Sequence, residues 1–177
     1  MRTIYKDFDF LRNLLTEFFA QRSLRSRFRI MEETNISGWE IWLQVELALF
    51  LQKHDDVSQW QREKRHSLDM RKSDYWNNAS IDFYIRQKHA HSFIPLEIKQ
   101  HKIASQCIKY MAEDIKKFRN IKDSEHITGR SLWCMGIHNQ VDEKTIEKYL
   151  ERYNCAYNDK CIWLYKIPST NYMITLI

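Results

Sequence analysis

Three residues in the middle of the chain combine chemically useful side chains with a spacing that brings them together. Asp82 stands among β-forming neighbours in Ser80–Arg86. Glu97 and Lys99 alternate with apolar residues in Ser92–Lys99, and side chains two apart on a strand share a face. A short polar turn joins the two segments into a predicted hairpin, in which directly opposed Cβ atoms are only ~4.5–5.5 Å apart. The sequence therefore predicts two carboxylates and one ammonium in one small patch.

Hydrolysis of a phosphodiester bond needs such a set of groups. Carboxylate oxygens hold Mg²⁺, the metal polarises the phosphoryl oxygen and lowers the pKa of its bound water, and a nearby cation offsets negative charge in the transition state. Lys99 fits the role of that cation. A simpler interpretation is a surface salt bridge between Glu97 and Lys99 beside a solvated Asp82, because the pattern E-x-K occurs by chance in many proteins.

The residues around this hairpin resemble the PD-(D/E)XK nuclease superfamily over most of the chain. An acid-bearing helix, Trp39–Leu47, comes first, and the pair Arg62–Glu63 follows on the presumptive first strand. The predicted hairpin is next. A helix then begins with Gln106–Tyr110, which is similar to the Q-x-x-x-Y motif of RecB-type nucleases. The sequence departs from the superfamily pattern in having Ile81 instead of proline before the aspartate.

The resemblance implies a fold, an activity and roles for the matching residues. The fold is a mixed central β-sheet flanked by helices, restriction-endonuclease-like, and the activity is Mg²⁺-dependent hydrolysis of nucleic acid, with Mn²⁺ as a substitute. Asp82, Glu97 and the main-chain carbonyl of Ile98 would bind the metal. Lys99 would position or activate the attacking water. Glu46 would reach the metal from the acid-bearing helix, although a core-edge glutamate paired with an arginine or lysine is the alternative.

Other polar residues are candidates for binding nucleic acid or supporting the site. Gln106 and Tyr110 lie one helical turn apart, so both can face the site, and ordinary packing explains them equally well. Gln100 directly follows the lysine and can contact phosphate or water. We expect Glu40 and Asp114 on the solvated faces of their helices. The basic residues near the hairpin form either a phosphate-binding rim or a solvated face: Arg62, Lys64, Arg65, Arg71, Lys72, Lys88, Lys102 and Lys109.

Alternating helical and β-type segments must position these residues. Their order predicts one α/β domain, residues 1–177, with an N-terminal helical segment, residues 1–37, packed on it. The second helix is apolar around most of its circumference, so we expect it to be deeply packed. The predicted helices cover Asp7–Arg25, Trp39–Lys53, Ile103–Asn120 and Asp142–Tyr153, and the strands cover part of Val57–Asn78, Ser80–Arg86, Ser92–Lys99, Leu132–Ile137, Lys160–Ile167 and Tyr172–Leu176.

Composition narrows the classes of function. The 177 residues include 28 Lys and Arg against 23 Asp and Glu, a net charge of +5 that favours a polyanionic partner. The 3 glycines stand far apart, which excludes a glycine-rich phosphate loop, and no HExxH or HxxxH spacing favours zinc catalysis. Four cysteines without a CxxC pair, and the lack of a long apolar run, predict reduced thiols, a cytoplasmic location and no membrane span.

We therefore expect a single-domain α/β protein that acts as a Mg²⁺-dependent nuclease, with DNA favoured over RNA. One alternative is a nuclease-fold protein that no longer cuts and serves as a binding or immunity partner. Another is a toxin-type RNase on the same fold. A protein partner or a homodimer is compatible with each of these. The presence of Asp82, Glu97 and Lys99 together favours an active enzyme.

Overall fold

The protein is an α/β structure, as the order of segments predicts. The computed structural model describes residues 2–67, 78–121, 130–155 and 159–177. Its elements are α1 (Arg2–Ala20), α2 (Arg22–Glu33), α3 (Glu40–Leu51), β1 (Val57–Ser67), β2 (Asn78–Gln87), β3 (Ile94–Gln100), α4 (Ala104–Phe118), β4 (Trp133–Asn139), α5 (Glu143–Tyr153), a short 3₁₀ turn (Asp159–Cys161), β5 (Trp163–Lys166) and β6 (Tyr172–Leu176).

The strands form one mixed sheet in the order β1-β2-β3-β4-β6-β5. Neighbouring strands are antiparallel, except that β3 and β4 are parallel. A parallel pair needs a long crossover, and α4 supplies it. The mixed central sheet flanked by helices is therefore confirmed. Because α4 follows β3 directly, its first turns must lie beside the end of that strand.

Each face of the sheet is covered by its own hydrophobic core. The first core contains Leu96 and Ile98 of β3 with the aromatic residues of α1 and α2, such as Phe18 and Phe28. The second core lies on the opposite face, where the apolar residues of α4 and α5 pack against the sheet, Met111 among them. Alternation along β3 thus sends its even-numbered residues into the first core and its odd-numbered residues toward α4.

Helix α3 is packed on one side only, so the expectation of deep burial is wrong. Its residues Leu43 and Leu47 are fully buried in the first core. On the other side, Ile41, Val45 and Leu49 are 69%, 42% and 57% exposed. An apolar residue count around a helix does not say how many neighbours surround it, and α3 has the sheet and the N-terminal helices on one side alone.

The N-terminal region forms two helices where the sequence predicted one. The chain leaves helical geometry at Gln21, whose ψ is 123° and whose side chain donates a hydrogen bond to the carbonyl of Phe18 at 3.2 Å. The change of direction lets Leu24 and Phe28 of α2 reach the same core as Phe19 of α1. Burial of these side chains is the physical reason for the break, since neither Gly nor Pro is present there.

All four cysteines are buried free thiols. Among the described residues, no helix is both long enough and apolar enough to cross a membrane. Arg71 and Lys72 of the basic rim predicted above lie outside the described residues.

Candidate active site

The two predicted acids meet at the point where the β2–β3 ladder ends. The ladder pairs Phe83 with Leu96. At the next position, each carboxylate accepts a hydrogen bond from a main-chain N–H of the opposite strand. The N–H of Asp82 donates to Glu97 Oε2 at 3.1 Å, and the N–H of Ile98 donates to Asp82 Oδ2 at 2.8 Å. The spacing predicted this juxtaposition, and the exchange of hydrogen bonds fixes both carboxylates against the sheet.

Lys99 lies between two carboxylates on the α4 side of the sheet. Its Nζ donates to Glu97 Oε1 at 2.9 Å and lies 3.0 Å from Asp114 Oδ2. The Glu97 side chain is only 7% exposed, and those of Lys99 and Asp114 are 22% and 19% exposed. The interpretation as a surface salt bridge therefore does not hold. The expectation that Asp114 is a surface residue is also wrong.

A glycine on β4 lets α4 approach the sheet closely enough for this contact. Gly136 is the register partner of Lys99 across the parallel β3–β4 pair. A Cβ at Gly136 would collide with the Sδ atom of Met111 and would lie 2.9 Å from the Sγ atom of Cys107. Both sulfur-bearing residues belong to α4, so α4 packs directly over the backbone beside Lys99. Asp114 then lies within reach of the ammonium.

The acid that α3 contributes near the site is Glu40, where the sequence favoured Glu46. Glu40 Oε2 accepts a hydrogen bond of 2.8 Å from the N–H of Gln100, so the expectation of a solvated Glu40 is wrong. Glu46 instead forms a 2.5 Å ion pair with Arg27. Six residues separate the two acids, about 9 Å along the helix axis and about 240° around it, so they cannot serve the same place. The structure shows Glu46 in the arginine pair that was its alternative interpretation.

Crowding of carboxylates shifts the proton affinities of the site. Burial raises the pKa of Asp82 from 3.8 to about 6, and the Glu40 and Asp114 carboxylates add to the rise. Burial, together with the negative charge of Asp82, raises the pKa of Glu97 from 4.5 to about 8. Burial alone would lower the pKa of Lys99, but the Glu97 and Asp114 carboxylates raise it above its usual range. One ammonium thus remains charged among more carboxylates than it can neutralise.

The residues of the Q-x-x-x-Y segment lie on the stripe of α4 that leads to Asp114. Gln106, Tyr110 and Asp114 follow one another at intervals of four residues, which places them on one face of the helix. Gln106 is half-buried, and Tyr110 is exposed with its ring edge against His101, 5.8 Å between ring centroids. The stripe therefore leads along α4 to Asp114, whose Oδ2 lies 3.0 Å from Lys99 Nζ.

The remaining supporting candidates occupy the β1 side and the end of β3. Arg62 Nη2 donates to Gln44 Oε1 at 2.9 Å and pairs with Glu63 at 2.8 Å, so its guanidinium is held against α3. Lys64 and Arg65 continue β1 opposite Ile81 and Ser80, and their side chains lie outside what the structure describes. For Gln100 the contact is made by the main chain, through Glu40.

The donor chemistry of the site suits a hard divalent cation. Burial raises the pKa values of the paired acids Asp82 and Glu97, and a cation bound beside them would stabilise their ionised forms. The described residues contain no group of three or more His, Cys, Asp and Glu side chains arranged to hold a metal ion. Two carboxylates would therefore need oxygen ligands from the main chain or from water, as Mg²⁺ sites commonly have.

Comparison with known proteins adds no assignment. No protein-family model, no curated protein and no solved structure matches this chain.

Proposed function

We propose that the protein is a Mg²⁺-dependent nuclease built on a restriction-endonuclease-like sheet, with DNA as the favoured substrate and the cytoplasm as its location. The observation that supports this proposal is the ion pair of buried Glu97 with the partly buried Lys99, with Asp82 beside it. Nucleic acid as the partner follows from the same residues, since a phosphodiester is the substrate that paired carboxylates and an ammonium suit. The net charge of +5 is compatible with that partner.

A purely structural explanation of the cluster is weak on energetic grounds. Taking charged groups out of water costs several kcal/mol per ion, and replacing a buried ion pair by apolar residues is often neutral or stabilising. Here β3 places Glu97 and Lys99 over a core that could accept apolar side chains. The raised pKa values of Asp82 and Glu97 show that their charges are not fully compensated. Sites that sacrifice folding energy in this way are commonly functional.

Asp82 and Glu97 would hold the metal ion through their carboxylates, with the main-chain carbonyl of Ile98 as a third oxygen ligand. Bound there, Mg²⁺ would supply charge to a phosphoryl oxygen and lower the pKa of a bound water. Glu40 lies at the end of α3 beside Gln100, so its carboxylate adds negative charge to the metal side of the site.

Lys99 would act on the substrate directly. Its raised pKa keeps the amine protonated at neutral pH, so Nζ is a hydrogen-bond donor and a positive charge, and not a base. A protonated amine at this place can orient a water molecule or bind a non-bridging phosphate oxygen. Arg62 on β1 faces α3, where its guanidinium is bound to Gln44 and Glu63 and lies over the Phe83 ring, so we assign it no phosphate contact.

The proposal is tested by incubating the purified protein with supercoiled plasmid, linear duplex DNA and tRNA, each with Mg²⁺, Mn²⁺ or EDTA. We expect cleavage that requires metal, and we expect Asp82→Ala, Glu97→Ala and Lys99→Ala each to lose it by orders of magnitude while keeping the wild-type circular dichroism spectrum. Arg12→Ala is the matched control, because Arg12 lies exposed on α1 in an ion pair with Asp9.

Two outcomes would contradict the proposal. Unchanged cleavage by Lys99→Ala would remove the lysine from the reaction. Binding of nucleic acid without cleavage under every metal condition would favour the non-cutting alternative. Cleavage of tRNA, but of neither DNA substrate, would support the metal-dependent chemistry with RNA in place of DNA as the substrate.

A further inference from the structure

We propose that Asp114 is a positioning residue for Lys99, the acceptor that keeps the ammonium in place when the Glu97 carboxylate turns to the metal. This inference rests on the proposed function for its consequence in catalysis. Its structural content, that Asp114 holds Lys99 independently of Glu97, is measurable without any cleavage.

The argument begins with the hydrogen bonds of Glu97. Oε2 accepts from the N–H of Asp82 at 3.1 Å, and Oε1 accepts from Lys99 Nζ at 2.9 Å. Each oxygen thus accepts one hydrogen bond, and a divalent cation that binds at Oε1 would compete with the Lys99 ammonium for that oxygen and repel it. The lysine is the donor with a second partner, since its Nζ lies 3.0 Å from Asp114 Oδ2.

A lysine released from Glu97 would need another counter-charge. An ammonium left unpaired at low exposure costs several kcal/mol, and a flexible side chain would swing toward water to avoid that cost. Asp114 prevents this movement because it approaches from α4, on the side opposite to the β2 strand that holds Asp82. The lysine keeps one charged partner in either state, and its Nζ stays close to the place where Glu97 leaves it.

The placement of Asp114 is specific within its helix. The neighbouring acid Glu113 is 58% exposed and forms the ordinary helical pair with Lys109, 3.8 Å across one turn. Asp114 instead points to the sheet, where Gly136 allows α4 to lie close to the backbone. Glu113 and Asp114 thus provide a matched pair of acids, one next to the other, of which only Asp114 contacts the site.

The direct test measures the accessibility of the Lys99 amine. The purified full-length protein is treated briefly with acetic anhydride, and acetylation of Lys99 relative to Lys102 is measured by peptide mass mapping, with and without Mn²⁺. In wild type we expect Lys99 to stay protected in both conditions. In Asp114→Asn the relative acetylation should rise roughly tenfold, and further with Mn²⁺, because the ammonium loses the ion-pair partner that would remain when a cation binds Glu97. Glu113→Gln should behave as wild type.

Three results would overturn the inference. One is unchanged protection of Lys99 in a folded Asp114→Asn. Another is an equal rise in Glu113→Gln. The third needs no variant: if Mn²⁺ raises Lys99 acetylation in wild type to the level of Lys102, Asp114 does not hold the lysine in the metal-bound state. This last measurement decides the matter even if Asp114→Asn fails to fold.

Kinetics separate positioning from a structural role. We expect Asp114→Asn to lower kcat roughly 10- to 100-fold with KM nearly unchanged, since a misplaced lysine affects the transition state more than substrate binding. Asp114→Glu keeps the carboxylate and should recover part of that loss, with Lys99 protected again. If wild type cleaves nothing while Lys99 still depends on Asp114 for protection, the nuclease proposal fails and the positioning of Lys99 stands.

Discussion

The two faces of β3 are both covered by helices, but one is apolar and the other carries charged side chains. Leu96 and Ile98 are fully buried in the first core among the side chains of α1, α2 and α3. On the other face, Glu97 is 5% exposed and holds Lys99 in an ion pair beneath α4. Burial of apolar side chains on one face stabilises the fold, whereas burial of charged side chains on the other face lowers the free energy of unfolding. The side chains on one face of β3 therefore stabilise the fold, and those on the other face form the candidate site.

Another buried polar residue, His138, shows that burial alone does not identify a functional site. His138 on β4 is fully buried, with Nε2 2.9 Å from Thr175 Oγ1 and Nδ1 2.8 Å from the carbonyl of Asn139. Burial lowers its pKa, so it is neutral and satisfied at both nitrogens. Glu97 differs because it meets like charge. The distinguishing feature of the site is therefore uncompensated charge and not polarity.

The largest effect on stability is expected from the apolar face. Leu96→Ala removes a fully buried side chain and should lower the free energy of unfolding by about 2–5 kcal/mol. Glu97→Gln keeps the shape and an acceptor for Lys99 and removes one crowded charge, but its single oxygen cannot also accept from the N–H of Asp82, so it should destabilise the metal-free protein less than Leu96→Ala does. Urea denaturation of both variants at pH 8.5, where the Glu97 carboxyl is ionised, measures the contrast. Equal destabilisation by the two substitutions would mean that Glu97 is as structural as Leu96.

The next prediction concerns metal binding on the charged face of β3. Asp82→Asn removes a charge at nearly constant shape and leaves an oxygen for the N–H of Ile98, so the metal-free variant should melt above wild type. Mn²⁺ that binds only the native state should stabilise wild type by about 2.7 kcal/mol at a hundredfold excess over Kd, and Asp82→Asn should lose most of that gain. Thermal melts in EDTA and in millimolar Mn²⁺ measure both quantities.

The control for this experiment is Asp142→Asn. Asp142 caps α5, where its side chain accepts from the N–H of Thr145 at 2.9 Å, and asparagine keeps an oxygen for that bond, so Asp142→Asn should change the melting temperature little and leave the response to Mn²⁺ unchanged. A wild type that does not respond to Mn²⁺, or an Asp82→Asn variant destabilised by more than ~1 kcal/mol in EDTA, would make Asp82 a structural residue.

The central part of the site could be predicted from the sequence because it depends on local geometry. Alternation along a strand and the closeness of paired strands are enough to bring Asp82, Glu97 and Lys99 together. Asp114 could not be predicted in the same way. Its contact depends on how closely α4 packs on β4, which is set by the lack of a side chain at Gly136. The one available signal was its spacing of four residues from Tyr110, on the stripe that begins with Gln106.

The prediction that Glu46, and not Glu40, lies near the site was wrong for a related reason. An amphipathic helix shows which of its faces is buried, but α3 is apolar nearly all round and so gives no such indication. Only the packed structure shows that Leu43 and Leu47 face the core and that Ile41 and Val45 face solvent. Which acid lies near β3 follows from that orientation. The order of helical and β-type segments predicted the sheet and its helices, but not the rotation of α3 about its own axis.

The last prediction concerns the dependence of stability on pH. Glu97 has a pKa of about 8 in the folded protein against 4.5 ordinarily, so between these values the folded state binds a proton that the unfolded chain releases. Stability from this group is therefore fully present below pH 4.5 and is lost as the pH rises through 8. Asp82 and Asp7, each raised to about 6, act with the same sign, while His138, whose pKa is lowered, acts with the opposite sign near 6.5. Above pH 7 the slope should come mainly from Glu97.

Comparison of wild type with Glu97→Gln isolates that slope, because the other titrating groups are common to both proteins. Urea denaturation of the metal-free proteins between pH 6 and 8.5 should show wild type losing stability faster than the variant as the pH rises, with the difference levelling off above pH 8. Lys99 does not interfere, since its pKa lies above its usual range and outside this window. Parallel pH profiles for the two proteins would mean that Glu97 is already ionised and fully compensated by Lys99. In that case the charges under α4 would cost the fold little, and the contrast between the two faces of β3 would be one of composition only.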